Sequence, residues 1–237
     1  MYASLKSLGF EMKAASSLAP YLPVGRGIRP TLCLSDTHLL PVKKSYGSDV
    51  PDALADVLAA LPEHQVFVLG DFIESLPLSL REVRTAATSS RLRRTLEELR
   101  YRDRLRVIPG NHDSKAIPFI KQYFGAQRVF IGGFRIGRVA FIHGHEPGLD
   151  VSGLAARMPV VVPIGGGLSR LGCPVPYGTA SNTEISTHYS SLGLYAVFGH
   201  THSPAACRTF ANPGCFLAGH RSFLLLDGSQ IALWEGH

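Results

Sequence analysis

Five times along this chain a short apolar run ends in a cluster of Asp, Asn or His, and this alternation restricts the fold more than any other feature. Residues 31–34 (Thr-Leu-Cys-Leu) lead into Ser35-Asp36-Thr37-His38, residues 65–69 into Gly70-Asp71-Phe72-Ile73-Glu74, and residues 105–108 into Gly110-Asn111-His112-Asp113. Residues 139–142 are followed by His143-Gly144-His145, and residues 194–198 by Gly199-His200-Thr201-His202. Four or five mostly apolar residues bounded by glycine or polar punctuation read as buried strands. Between them, Leu54, Val57, Leu58 and Leu61 within residues 51–61 keep helical spacing, and Leu92, Leu96 and Leu99 mark a second helical face. Strands interleaved with helices predict a layered α/β domain. Residues 222–226 and 230–234 flank Asp227-Gly228 and predict a closing hairpin.

In an open α/β sheet ligands bind beyond the carboxyl ends of the strands, where loops converge. Five loops that each deliver Asp, Asn or His there build one dense polar site. Carboxylate oxygen and imidazole nitrogen suit Mn²⁺, Fe²⁺ or Zn²⁺, and the lack of Cys in every cluster argues against a structural zinc site. Asp36, His38, Asp71, Asn111, His143, His200 and His202 are too many ligands for one ion. Two ions about 3.5–4 Å apart, sharing a carboxylate, would use them all, clamp a phosphoryl group and lower the pKa of a bridging water. Glycines beside the ligands let the backbone turn sharply and approach closely.

The ordered set D-x-H, G-D-x-x-E, G-N-H-D, H-G-H and G-H-T-H, from Asp36 to His202, resembles the calcineurin-like metallophosphoesterase superfamily. The resemblance implies a four-layered α/β/β/α sandwich with a dinuclear metal site at its strand ends. It implies one metal on Asp36, His38 and His202 and a second on Asn111, His143 and His200, with Asp71 bridging. His112 would donate a hydrogen bond or proton to the substrate, a role that suits an imidazole, with Asp113 orienting it. Glu74 is expected to support the site by hydrogen bonds, and His145 to touch substrate, lie behind the ligands or be solvated. G-D-x-x-E, H-G-H and Asn212-Pro213-Gly214 are also similar to bacterial UDP-2,3-diacylglucosamine pyrophosphohydrolases, which usually carry Arg where this chain has His112.

The expected activity is therefore hydrolysis of a phosphodiester or phosphoanhydride by metal-activated water, with Mn²⁺ the first expectation and Fe²⁺ or Zn²⁺ alternatives. A chain of 237 residues suits one large domain. We expect residues 1–30 to be an N-terminal arm and residues 31–237 the metallophosphoesterase domain, with 146–181, rich in Gly and Pro, a lid insertion or a surface loop. An excess of 24 Lys and Arg over 18 Asp and Glu gives +6 and suits a phosphate-bearing small molecule or nucleotide, a nucleic acid or an anionic membrane surface. Nine arginines within residues 81–106 read as a solvated helix face or as a polyanion site, the second making a nuclease the alternative activity. A non-enzymatic scaffold is the other alternative, set against retention of all seven ligands and His112. The arm's Leu5, Lys6, Leu8, Phe10 and Lys13 read as packing against the domain, or as peripheral membrane contact.

Cys33, Cys173, Cys207 and Cys215 form no C-x-x-C pair; reduced thiols and a cytoplasmic protein are expected. Glu11 and Lys13 interrupt the N-terminal apolar residues before a signal sequence develops, and no run of eighteen apolar residues occurs.

Overall fold

The computed structural model describes residues 2–39, 49–75, 90–145 and 181–236. In chain order its elements are α1 (Tyr2–Ser7), β1 (Phe10–Ser17), β2 (Ile28–Leu34), α2 (Val50–Ala60), β3 (Gln65–Leu69), α3 (Ser90–Tyr101), β4 (Leu105–Ile108) and α4 (Ile117–Phe124). They continue with β5 (Phe134–Ile136), β6 (Val139–Ile142), α5 (Asn182–Ser191), β7 (Tyr195–Phe198), β8 (Ala205–Ala206), β9 (Phe210–Asn212), β10 (Phe216–Leu217), β11 (His220–Gly228) and β12 (Gln230–Gly236). One sheet runs β1-β12-β11-β2-β3-β4 with β10 beside β11, and the other runs β5-β6-β7-β9-β8.

The alternation of side chains along each strand sorts residues into layers. In β2, Leu32 and Leu34 join an outer core while Cys33 joins the core between the sheets; in β3, Val66 and Val68 go outward while Phe67 and Leu69 go inward. Leu5 of α1, Leu54 and Leu58 of α2, Leu92 and Leu96 of α3 and Ile120 and Phe124 of α4 complete that outer core. In the second sheet, Phe141 and Val197 face the inter-sheet core while Ile142, Ala196 and Phe198 meet Ile185 of α5. The layers are therefore helices, sheet, sheet and helix, the expected α/β/β/α sandwich. Each fully buried Leu, Val or Phe contributes about 1.5–3 kcal/mol of transfer free energy to it.

Both faces of β2, β3, β6 and β7 are covered, which is why these strands read as unbroken apolar runs. β2, β3 and β4 are mutually parallel, as are β6 and β7, so their carboxyl ends lie at one edge of the sandwich. The expected hairpin is present as β11 and β12 and extends beyond 222–234 at both ends. Residues 10–17, within the stretch expected as an arm, form the edge strand β1, antiparallel to β12, and Leu5 and Phe10 are buried. The expected lid lies outside the described residues, apart from Ser181. Ser181 caps α5: its hydroxyl accepts from the Glu184 amide, and its own amide donates to the Glu184 carboxylate at 2.6 Å. Among the described residues no helix is long and apolar enough to cross a membrane. Cys33, Cys207 and Cys215 are unbridged, with Cys33 and Cys215 buried as packing residues.

Candidate metal centre

Ladder-like hydrogen bonding continues past the strand ends and fixes the polar loops to one another. The Asp36 amide donates to Gly70 O at 3.0 Å, His38 to Asp71 O at 2.9 Å, and Gly199 to His143 O at 3.0 Å. Asp36, His38, Asp71, His200 and His202 all hold positive φ, at 52°, 40°, 49°, 67° and 56°. Asp and His tolerate this region better than most residues, yet each such position still costs about 1–3 kcal/mol and persists only where its surroundings over-determine it. Gly70, Gly110 and Gly199 supply the close approach. A Cβ at Gly70 would strike the His143 ring, at Gly110 the Asp71 carboxylate, and at Gly199 the Ser35 hydroxyl.

These loops assemble adjoining donor groups. Asp36, His38 and His202 form one and Asp71, His143 and His200 another, while His38, Glu74 and His112 form a third beside the first. In the first, His202 Nε2 lies 3.1 Å from Asp36 Oδ1 and 3.3 Å from His38 Nε2. In the second, His143 Nε2 lies 3.3 Å from Asp71 Oδ2, 3.2 Å from His200 Nδ1 and 3.1 Å from Asn111 Oδ1. Asp71 Oδ2 is also 3.9 Å from His38 Nε2, so one oxygen stands between the groups. All seven residues expected as ligands are thus brought together.

Neighbouring groups set the orientation of these donors. His143 Nδ1 donates to Leu69 O at 2.7 Å, which fixes the ring's orientation and leaves Nε2 facing the centre. The backbone amides of His112 and His200 donate at 2.9 Å to Asp71 Oδ1 and Asp36 Oδ2. Glu74 reaches two imidazoles at once, His38 Nδ1 at 3.0 Å and His112 Nδ1 at 2.8 Å. Asp113, expected to orient His112, instead turns its buried carboxylate to backbone amides, accepting from Gly110 at 2.9 Å, Ile73 at 2.7 Å and Phe72 at 3.1 Å. The carboxylate against His112 is that of Glu74, and its two-handed role is not visible in the sequence. His145 is half-buried, with its ring 5.1 Å from that of His143 and 6.2 Å from that of His200.

The field inside this cluster favours cations. Burial opposes charge on His38, yet Glu74, Asp71 and Asp36 raise its pKa to about 9. Burial likewise opposes charge on His143, and Asp71 and Asp36 lift it to about 10. Burial and the neighbouring His143 push His200 down to about 4. Despite its burial, Asp71 is held well below the ordinary carboxylate range by His143, His112 and His38. Burial and the Asp71 charge raise Asp113 to about 6 against its three amide donors. Asp36 Oδ1 is buried and makes no hydrogen bond of acceptable geometry among the described residues, although His202 Nε2 is close. Converging carboxylate, amide and imidazole donors with an unsatisfied buried oxygen fit divalent cations, whose charge would answer the same field.

A polar network backs the last loop. The Thr201 hydroxyl donates to Asn182 Oδ1 at 2.6 Å, and Asn212 Nδ2 lies 2.9 Å from the same oxygen and 3.1 Å from Gly199 O.

Comparison with known proteins gives one family and a set of similar solved structures. A model for the calcineurin-like phosphoesterase superfamily domain matches residues 31–229. No curated protein matches. An archaeal phosphodiesterase is similar over 86% of this chain and 99% of its own, at 18% identity and a TM-score of 0.41. A Pseudomonas putida nuclease is similar over 83% of this chain and 86% of its own, at 17% identity and a TM-score of 0.39.

Proposed function

Because the chain belongs to the calcineurin-like phosphoesterase superfamily, we propose that it is a dinuclear metal-dependent hydrolase acting on a phosphodiester or phosphoanhydride bond of a small molecule or nucleotide. The observation that carries this reading is the single oxygen, Asp71 Oδ2, standing 3.3 Å from His143 Nε2 of its own donor group and 3.9 Å from His38 Nε2 of the neighbouring one. In this reading Asp36, His38 and His202 hold one ion, Asn111, His143 and His200 hold the other, and Asp71 serves both. When bound, the ions would supply Lewis-acid charge for the phosphoryl oxygens and acidify an attacking water, with Mn²⁺ the first choice.

The protein's own groups do the rest. With His112 Nδ1 engaged by Glu74, Nε2 is the nitrogen that would donate to the leaving oxygen. Glu74, held down to about 2 by His112 and His38 against its burial, stays anionic and orients both rings. Asp113 acts at one remove, clamping the Gly110 and Asp71 loops through three backbone amides. Small-molecule hydrolysis stands ahead of the nuclease alternative because, among the described residues of the 81–106 segment (residues 81–89 lie outside them), five arginines are engaged in ion pairs. Arg91 pairs with Asp56, Arg93 with Glu97, Arg102 with Glu98, Arg104 with Glu63 and Arg106 with Asp103.

The test is hydrolysis of bis-p-nitrophenyl phosphate and p-nitrophenyl phosphate by metal-stripped protein, with Mn²⁺, Fe²⁺, Zn²⁺ or Mg²⁺ restored. Turnover should return only with metal, and the diester should be the better substrate. Absence of turnover with every metal would move the protein to the scaffold class. Oligonucleotide cleavage that falls steeply with salt would favour the nuclease.

A further inference from the structure

We infer that Asn182, the first residue of α5, is a positioning residue for both donor groups at once. The inference rests on the metal reading above. The loop Gly199-His200-Thr201-His202 sends His200 to one group and His202 to the other, with φ at 67° and 56°. Two strained residues so close in sequence need an outside frame to hold them.

Part of that frame is the site itself, since the His200 amide donates to Asp36 Oδ2 and the Gly199 amide to His143 O. The remainder is shared by Asn212, whose Nδ2 also donates to Gly199 O at 3.1 Å, and Asn182, which lies on another element and outside every recognised motif. Its Oδ1 accepts from the Thr201 hydroxyl at 2.6 Å and from Asn212 Nδ2 at 2.9 Å. Its Nδ2 donates to Ser203 O at 2.9 Å. Asn182 thus grips the loop between its two histidines and again just after them. Asn212 Nδ2 also reaches Thr201 Oγ1 at 2.8 Å, and Asn212 Oδ1 accepts from the Gly214 amide at 2.7 Å. The loop is therefore held between the start of α5 and the end of β9. An amide side chain at position 182 serves both ends of the grip, because it accepts at one atom and donates at the other.

Removing this grip should loosen His200 and His202 together, so both ions weaken, whereas removal of one histidine subtracts a ligand from one group. The experiment is titration of metal-stripped protein with MnCl₂ by calorimetry, for wild type, Asn182→Leu and Asn182→Asp. Wild type should take up two ions. Asn182→Leu should bind both more weakly, by roughly 10–100-fold, the usual cost of losing a group that orients ligands. Asn182→Asp keeps the acceptor and should recover part of the loss. Amide hydrogen exchange of the metal-free proteins gives a readout independent of any ion, with residues 199–203 exchanging faster in Asn182→Leu while β6 and β7 stay protected. Two ions bound by Asn182→Leu at wild-type affinity would overturn the inference and leave the metal reading standing. No Mn²⁺ bound by wild type would overturn both.

Discussion

The strand-end cluster and helix α3 are both rich in charged side chains, and they use charge in opposite ways. At the strand ends, side chains from both sheets converge in the interior: Asp36, Asp71, Asp113 and His143 are nearly or fully buried, and single oxygens serve several partners. Along α3, Leu92, Leu96 and Leu99 face the core while the arginines lie outward, where Arg91 pairs with Asp56 and Arg93 with Glu97 on the surface. Even the backbone differs in purpose. Asp103, in the turn after α3, shares the positive φ of the candidate ligands at 54°, but it ends a helix and pairs with Arg106 and Arg128 in solvent. Convergence and burial, rather than charge density, distinguish a site from a solvated face.

That contrast can be pressed from both sides. Asp71→Asn should have the largest effect: bound Mn²⁺ after dialysis, read by plasma mass spectrometry, should fall to background and diester hydrolysis with it. Retention of both ions would break the reading that one oxygen serves both groups. His112→Ala should keep its metal and lose roughly 10²–10⁴-fold in turnover, the usual share of a positioned proton donor; full activity would remove His112 from the chemistry. At the other extreme, Arg102→Ala deletes an exposed pair with Glu98 at 2.7 Å. Urea denaturation should show a change of no more than about 0.5 kcal/mol, with metal content unchanged. A loss of metal from this variant would mean that the two regions are coupled after all.

Much of this was legible in the sequence because the signals are local. Apolar runs covered on both faces identify the strands, the glycine-flanked polar triplets after them identify the candidate ligands that the fold brings together, and Leu92, Leu96 and Leu99 identify the inner face of α3. What escaped depends on partners distant in the chain. Glu74 meets His112 across 38 positions, and Asn182 meets Asn212 across 30; no periodicity announces such pairs. Asp113 beside His112 in sequence suggested a dyad, but the tight turn at Gly110 sends the two side chains to different partners. Strand β1 escaped for a related reason: its outer residues alternate weakly, and its neighbour β12 lies at the far end of the chain.

That last pairing bears on how the chain reaches its native state. The closing hairpin of β11 and β12 does not add to the margin of the first sheet; it inserts between β1 and β2, among strands made some two hundred residues earlier. β2, which presents Asp36 and His38, therefore has one neighbour from the next stretch of chain and one from the last. Loops that long close slowly, and a topology dominated by distant contacts folds slowly for its size. During synthesis on the ribosome, β2 keeps an open edge until the hairpin emerges, so the first donor group gains its finished support only once Leu224, Leu225 and Leu226 of β11 are available to pair with Cys33, Leu32 and Thr31.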